Sequence, residues 1–206
     1  IGGPADLMVI PGTKDQLVRL VRALHEREVP WMVVGRGSNL LVADKGIRGV
    51  VIKLGDSFDD VRFEGKTVHV GGAFSMIKLS VLAGKQGLTG LEFAGGIPGS
   101  VGGAVFMNAG ALGGEMARVL KVAEVLLETG ELTWMTADEL QFSYRHSRLQ
   151  EMKGIVTEAV LELEHGDRKE IAAAMATYKD RRLRTQPLKE NSAGSVFRNP
   201  AGHHAA

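Results

Sequence analysis

The sequence predicts an α+β fold of two subdomains, and three observations carry that reading. The chain opens with a short apolar strand, an amphipathic helix and a second apolar strand. Its middle is dominated by strands joined through tight turns. Between these patterns lies a 22-residue segment, Phe93–Gly114, with no charged side chain. Strands with interleaved helices, followed by a second mixed layer, describe α+β architecture. We expect a first subdomain over residues 1–54, a second over 55–165, and a third region beginning near Gly166 and running to 206.

Leu7 to Ile10 reads as a strand. Thr13 followed by Gln16 makes a capping box, so a helix starts there. Leu17, Leu20, Val21 and Leu24 keep its apolar face in register. Pro30 ends the unit and Trp31–Val34 forms the next strand, giving β-α-β. Val50–Lys53 is a strand after the turn at Lys45-Gly46, and Val61–Glu64 with Thr67–Val70 is a hairpin about Gly65. Ser75 caps a helix that carries Ile77, Val81 and Leu82 and stops at Gly87. Val122–Leu127 pairs with Leu132–Met135 across Thr129-Gly130, and Ile155–Leu163 is one long alternating strand. Arg168–Arg184 is a helix with Ile171, Met175 and Tyr178 on one side.

Eight of the 22 residues of Phe93–Gly114 are glycine, against 27 in the whole chain of 206. The length would suffice for a membrane span. Eight glycines, a proline and an asparagine instead give poor hydrophobicity and poor helix propensity. The other residues are valine, isoleucine, phenylalanine and methionine, which suits buried, close-packed backbone. Such a run offers main-chain N–H donors without side-chain walls, as a phosphate cradle requires. Ser100–Met107 reads as a short helix with its N-terminus toward that anion. Gly35-Arg36-Gly37-Ser38-Asn39-Leu40, directly after a strand, is either a second phosphate loop or a tight turn. It matches neither the dinucleotide fingerprint nor the P-loop.

Other motifs have two readings each. Arg145, in Ser143-Tyr144-Arg145-His146-Ser147, suits a carboxylate clamp or a surface ion pair. Gly194-Ser195-Val196-Phe197 presents a hydroxyl to a ligand or simply starts a strand. Lys179, Arg181, Arg182 and Arg184 form a solvated helix end that complements the dipole, or an anion site.

Composition narrows the function classes. Hydrophobic content is 44%, charged content 24% and formal net charge +1, so no global field draws the chain to nucleic acid or lipid. There is no cysteine, which excludes disulfides and thiolate chemistry and suits a reducing compartment. The six histidines show no metal-ligand spacing, and aromatics are too sparse for RNA-stacking motifs. No targeting or membrane segment stands out. The chain opens on Ile1 and stops at Ala206, and we expect residues to be missing at both ends.

Seven motifs come in one order along the chain: Ile1-Gly2-Gly3-Pro4-Ala5, Gly35 through Val42, Gly95 through Gly103, Asn108-Ala109-Gly110-Ala111, Tyr144 through Ser147, Gln186-Pro187-Leu188, and Gly194 through Pro200. Together they resemble the UDP-N-acetylenolpyruvoylglucosamine reductases, flavoenzymes of peptidoglycan precursor synthesis in the bacterial cytoplasm. The resemblance implies the two-subdomain FAD-binding fold of vanillyl-alcohol-oxidase/PCMH type, followed by the start of a substrate-binding domain. It implies FAD held by Gly35, Arg36, Gly37, Ser38, Asn39 and Leu40, by Ile97, Pro98, Gly99, Ser100, Gly102 and Gly103, and by Asn108 and main chain near Ile155. The flavin is expected to be non-covalent, because no histidine lies between His25 and His69.

The resemblance also implies two half-reactions. NADPH reduces the flavin, and the enolpyruvyl sugar nucleotide then takes the hydride at its vinyl carbon. Arg145 would stabilise the developing enolate, and Ser195 would donate the proton. Tyr144, Arg184, Gln186 and Asn199 would bind substrate, with Arg181 and Arg182 also candidates for its diphosphate. The family's second catalytic residue, a glutamate near the C-terminus, has no counterpart before Ala206. Another FAD oxidase on this fold and a non-catalytic nucleotide-binding fragment are the competing readings. The oligomeric state has no signature in the sequence.

Overall fold

The computed structural model describes residues 2–186, 197–200, 202, 203 and 205. The first subdomain begins with strand β1 (Ala5–Val9), helix α1 (Lys14–Glu26), strand β2 (Trp31–Val34) and strand β3 (Ile47–Lys53). Its three strands form a parallel sheet in the order β1-β3-β2. The two strands of the opening β-α-β unit are therefore not neighbours, because β3 lies between them. β3 also begins at Ile47, three residues before the apolar run. Asp6 holds this extension: its carboxylate accepts the Gly49 N–H at 2.9 Å and pairs with Arg48 at 2.6 Å.

At the start of α1 the Thr13 hydroxyl accepts the Gln16 N–H, as the capping box requires. The reciprocal bond shifts by one residue, since the Gln16 side chain accepts from Gly12 N–H at 2.8 Å. Leu17, Val21 and Leu24 are buried, and Leu20 packs half-buried beside them. β1 lies at the sheet edge, where Leu7 and Met8 are exposed.

The second subdomain contains β4 (Val61–Glu64), β5 (Thr67–Gly71), α2 (Met76–Lys85), β6 (Leu88–Thr89), α3 (Val101–Phe106), β7 (Gly110–Ala111), β8 (Gly114–Glu115), β9 (Leu120–Leu127), β10 (Leu132–Thr136), α4 (Leu149–Met152) and β11 (Gly154–Glu162). Five strands form an antiparallel sheet in the order β10-β9-β11-β5-β4. The Ser75 cap forms as expected, but α2 buries Met76, Leu79 and Ala83 and leaves Ile77 and Val81 exposed. The 3₁₀ turn Glu92–Gly96 follows β6. β12 (Glu164–His165) returns to pair with β6, and α5 (Arg168–Thr185) packs on α2 and on that turn.

β11 does not alternate throughout. A bulge between Val156 and Glu158 inserts Thr157 against β9. An extra residue turns the following side chains over, so Val156, Ala159 and Leu161 all reach the larger core, whereas Ile155 faces a second one.

That second core joins the subdomains. Leu17, Val21 and Leu24 of α1, with Trp31, Val50, Ile52 and Phe58, meet Leu126 of β9 and Ile155 of β11. Around it, Lys14 pairs with the nearly buried Glu124 at 2.5 Å, and Thr157 donates to the same carboxylate oxygen at 2.6 Å. The Arg22 Nε–H donates to the Gly130 carbonyl at 3.2 Å, and the Lys153 ammonium sits 4.6 Å from the Trp31 ring centre. Leu17 has no solvent exposure in this core. Leu17→Ala is expected to cost about 2–5 kcal/mol of stability through lost transfer energy and a residual cavity, measured by denaturant unfolding.

Candidate active site

The two glycine-rich segments predicted to hold a phosphate meet in the structure. The Ser38 hydroxyl donates to the Pro98 carbonyl, and Gly35 abuts the Ser100 hydroxyl so closely that a β-carbon there would overlap it. Gly37 takes a left-handed φ of +70° with open space around it. The main-chain N–H groups of Arg36–Asn39, and of Gly99 and Ser100, have no acceptor among the described residues. Unpaired N–H groups on two adjoining loops, with Arg36 in the first and no acidic side chain in either, are an arrangement that suits an anion. Leu40 closes the first loop through its N–H to the Gly37 carbonyl at 3.4 Å, and Ile97 anchors the second by packing against the larger core.

The short helix behaves differently from expectation. α3 forms with Ser100 as its cap, but its first N–H groups are already satisfied within the protein. Val101 N–H donates to the Phe74 carbonyl at 2.9 Å, Gly102 N–H to the Gly72 carbonyl at 2.8 Å, and Gly103 N–H to the Ser100 hydroxyl at 3.3 Å. Gly102 and Gly103 thus support the cradle rather than donate to an anion. Gly72 in turn donates to the Thr157 carbonyl at 2.8 Å. The main chain near Ile155 therefore lies behind the cradle through its bulge, while the Ile155 side chain is buried in the core that joins the subdomains.

Asn108 also differs. It is 1% exposed, and its amide donates to the Glu115 carboxylate at 3.2 Å and the Ser143 carbonyl at 3.1 Å. Its side-chain oxygen accepts the Ala117 N–H at 2.9 Å. The side chain is spent on binding loops together, so it organises the site from behind.

The polar turn Ser143–His146 is clipped onto the end of the uncharged segment. Ser143 and His146 exchange both main-chain hydrogen bonds at 3.1 Å, leaving Tyr144 and Arg145 as the two corner residues. Arg145 takes φ +57°, a left-handed conformation unusual for a long side chain. Its guanidinium donates to the Gly110 carbonyl at 2.9 Å and lies 5.2 Å from the Tyr144 ring centre. Ser147, fully buried, donates from its hydroxyl to the Phe106 carbonyl at 2.7 Å. Gln150 donates to the Phe106 carbonyl at 3.2 Å and to the Arg145 carbonyl at 3.1 Å. Sequence reasoning missed Gln150, Ser147 as an anchor, and Glu115. Their one signal was polarity beside a predicted site.

The remaining candidates separate. Ser195, with Pro187 and Leu188, lies outside the described residues. Arg198, three residues further on, donates to the Arg145 carbonyl at 3.4 Å, which brings the described end of the serine motif to the Arg145 corner. Arg184 pairs with Asp180 at 2.8 Å on the exposed end of α5, because i and i+4 share a helix face. Arg182 instead lies over Gly96. Gln186 is exposed and caps α5 through its main-chain N–H to the Arg182 carbonyl, and the Asn199 side chain accepts the Ala205 N–H at 3.0 Å. Neither side chain is brought to the Arg145 corner.

An FAD binding domain family matches residues 5–136. The chain is 53% identical to the UDP-N-acetylenolpyruvoylglucosamine reductase of Anoxybacillus flavithermus and 51% identical to that of Bacillus subtilis. Each match covers all of this chain and 68% of the relative. The chain belongs to the UDP-N-acetylenolpyruvoylglucosamine reductase family. The UDP-N-acetylenolpyruvylglucosamine reductase of Thermus caldophilus has a similar structure, with TM-score 0.87 and 40% identity over the whole chain and 72% of the other. A 6-hydroxy-D-nicotine oxidase from Arthrobacter nicotinovorans covers 79% of this chain and 37% of its own, at TM-score 0.60 and 18% identity. That distant likeness concerns the fold alone. Family and fold together make the chain an FAD-containing oxidoreductase of the predicted two-subdomain class.

The residues present fit the cofactor. An FAD diphosphate requires several donors and close main-chain approach, and the junction of Gly35–Leu40 with Ile97–Ser100 offers both. Gly35→Ala is expected to displace the Ser100 hydroxyl, cost about 1 kcal/mol through the lost cap, and lower the flavin-to-protein absorbance ratio of purified protein. Gly99→Ala, whose β-carbon would meet Ser38 at an ordinary 3.5 Å within the protein, is expected to fold normally but to lower the same absorbance ratio, because it puts a side-chain wall where the main chain must be approached closely.

Proposed function

We propose that the chain reduces the enolpyruvyl group of UDP-N-acetylglucosamine enolpyruvate, with NADPH as electron donor, to form UDP-N-acetylmuramate for peptidoglycan. The observation that carries the reading is the Arg145 corner, fixed to Gly110 at the end of the glycine-rich segment. Bound FAD supplies the hydride, received beforehand from NADPH. The main-chain donors of Arg36–Asn39, Gly99 and Ser100 would hold its diphosphate.

Hydride addition at the vinyl carbon pushes negative charge toward the substrate carboxylate. Arg145 has five N–H donors, and one is committed to Gly110. The others have no partner among the described residues. A guanidinium held before the reaction stabilises charge as it forms, without reorganising. Contact with the Tyr144 ring limits its swing. Ser195 is the proposed proton donor to the adjacent carbon, and the Arg198–Arg145 contact supports its approach. A hydroxyl is a weak acid, but a carbanion-like centre is basic enough to take its proton.

The proposed substrate domain begins with α5, after subdomains over 1–54 and 55–165. Tyr144 and Arg182, rather than Arg184, Gln186 or Asn199, are then the better-placed substrate contacts. Net charge +1 gives no reason to propose a nucleic-acid or membrane partner, and the proposed pathway suits a cytoplasmic location. Among the described residues no helix is long and apolar enough to cross a membrane.

Ser195→Ala is expected to leave flavin reduction by NADPH intact. It should slow reoxidation by the enolpyruvyl sugar nucleotide about 10²- to 10⁴-fold, the range for losing a general acid. Anaerobic stopped-flow absorbance separates the two half-reactions, and equal slowing of both would remove Ser195 from this role.

A further inference from the structure

We propose that Gln150 is a positioning residue for the reduction, holding Arg145 in its left-handed corner; this rests on the role given to Arg145 above. A two-residue corner with positive φ at its second position suits glycine or asparagine. An arginine there persists only if the surroundings hold it. Three contacts do so, beside the longer one from Arg198 at 3.4 Å. The guanidinium is tied to Gly110, the Ser143 carbonyl receives the Asn108 amide, and the Arg145 carbonyl receives the Gln150 amide.

The last contact is the closer of the two made to the strained peptide itself, at 3.1 Å against 3.4 Å from Arg198. Gln150 is half-buried on α4, and its single amide nitrogen bridges two carbonyls, that of Arg145 at 3.1 Å and that of Phe106 at 3.2 Å. Phe106 is the last residue of α3, the helix capped at the cradle. A primary amide has two N–H donors, so one nitrogen serves both acceptors. The reversed amide would set its oxygen against two carbonyls, which fixes the orientation. Gln150 thereby sets the distance between the corner that carries the guanidinium and the helix beneath the cradle. If the corner relaxed, the Cα–Cβ direction of Arg145 would rotate and carry the guanidinium off its target.

The test uses the complete enzyme with FAD bound and three variants. Gln150→Leu removes the donors at similar volume, Gln150→Glu keeps the shape without the donors, and Arg145→Ala is the control. Both Gln150 variants should reduce with NADPH at the normal rate. Each should reoxidise with the enolpyruvyl sugar nucleotide about tenfold more slowly, the scale of one net hydrogen bond, with the loss in kcat rather than KM. In the same FAD-bound protein, hydrogen exchange of the peptide containing Ser143–His146 should quicken in both Gln150 variants. Reoxidation at the normal rate in either Gln150 variant would overturn the proposal, as would equal slowing of both half-reactions or unchanged exchange. If Arg145→Ala itself reoxidises normally, the role of Arg145 falls. If only Arg145→Ala is slow, Arg145 keeps its role and Gln150 loses its own.

Discussion

The site depends on a short relay of main-chain hydrogen bonds, Gly102 N–H to the Gly72 carbonyl and Gly72 N–H to the Thr157 carbonyl. It ties helix α3 to the bulge in β11. The bulge leaves Thr157 unpaired against β9, and the Thr157 hydroxyl turns to Glu124, which also takes Lys14 from the first subdomain. One irregularity in one strand therefore sets the height of the cradle and the approach of the two halves. A buried carboxylate is tolerable there because it has both an ammonium and a hydroxyl partner.

From this base the glycine-rich segment divides its work. Its first part meets the Gly35–Leu40 loop and leaves donors for an anion. Its last part, from Phe106 to Gly110, receives the polar turn that carries Arg145. The proposed binding and the proposed chemistry thus rest on the two ends of α3, a helix of only six residues. The rigidity comes from its neighbours: Phe74 and Gly72 at one end, Ser147 and Gln150 at the other.

Much of this was legible in the residues. The Thr13 and Ser75 caps, the apolar face of α1, the hairpins and the unusual glycine content are local signals, and each produced the element it announced. Ordered motifs across the chain were enough to reach the family. What was not legible depends on contacts distant in sequence. β3 enters between β1 and β2 because Asp6 reaches Arg48 and Gly49. The bulge at Thr157 interrupts what looks like clean alternation, and Thr157 alone does not betray it. The N-terminus of α3 reads as an anion site until the carbonyls of Gly72 and Phe74 are found in front of it. Asn108 and Arg184 look like ligand contacts because their chemistry allows it, yet each has partners within the protein.

The self-sufficiency of α3 also bears on the order of assembly. Its cap and first N–H groups find their partners within the protein, so the helix does not draw on a cofactor for these hydrogen bonds. By the reading proposed above, a bound diphosphate would give partners to the free N–H groups of the two loops. A ligand that binds the native state alone adds stability by mass action, in proportion to the logarithm of its free concentration. Here that gain falls on the loops rather than on the scaffold. By that reading, the scaffold draws on the polypeptide alone for its hydrogen bonds, and the cofactor adds its own at the loops.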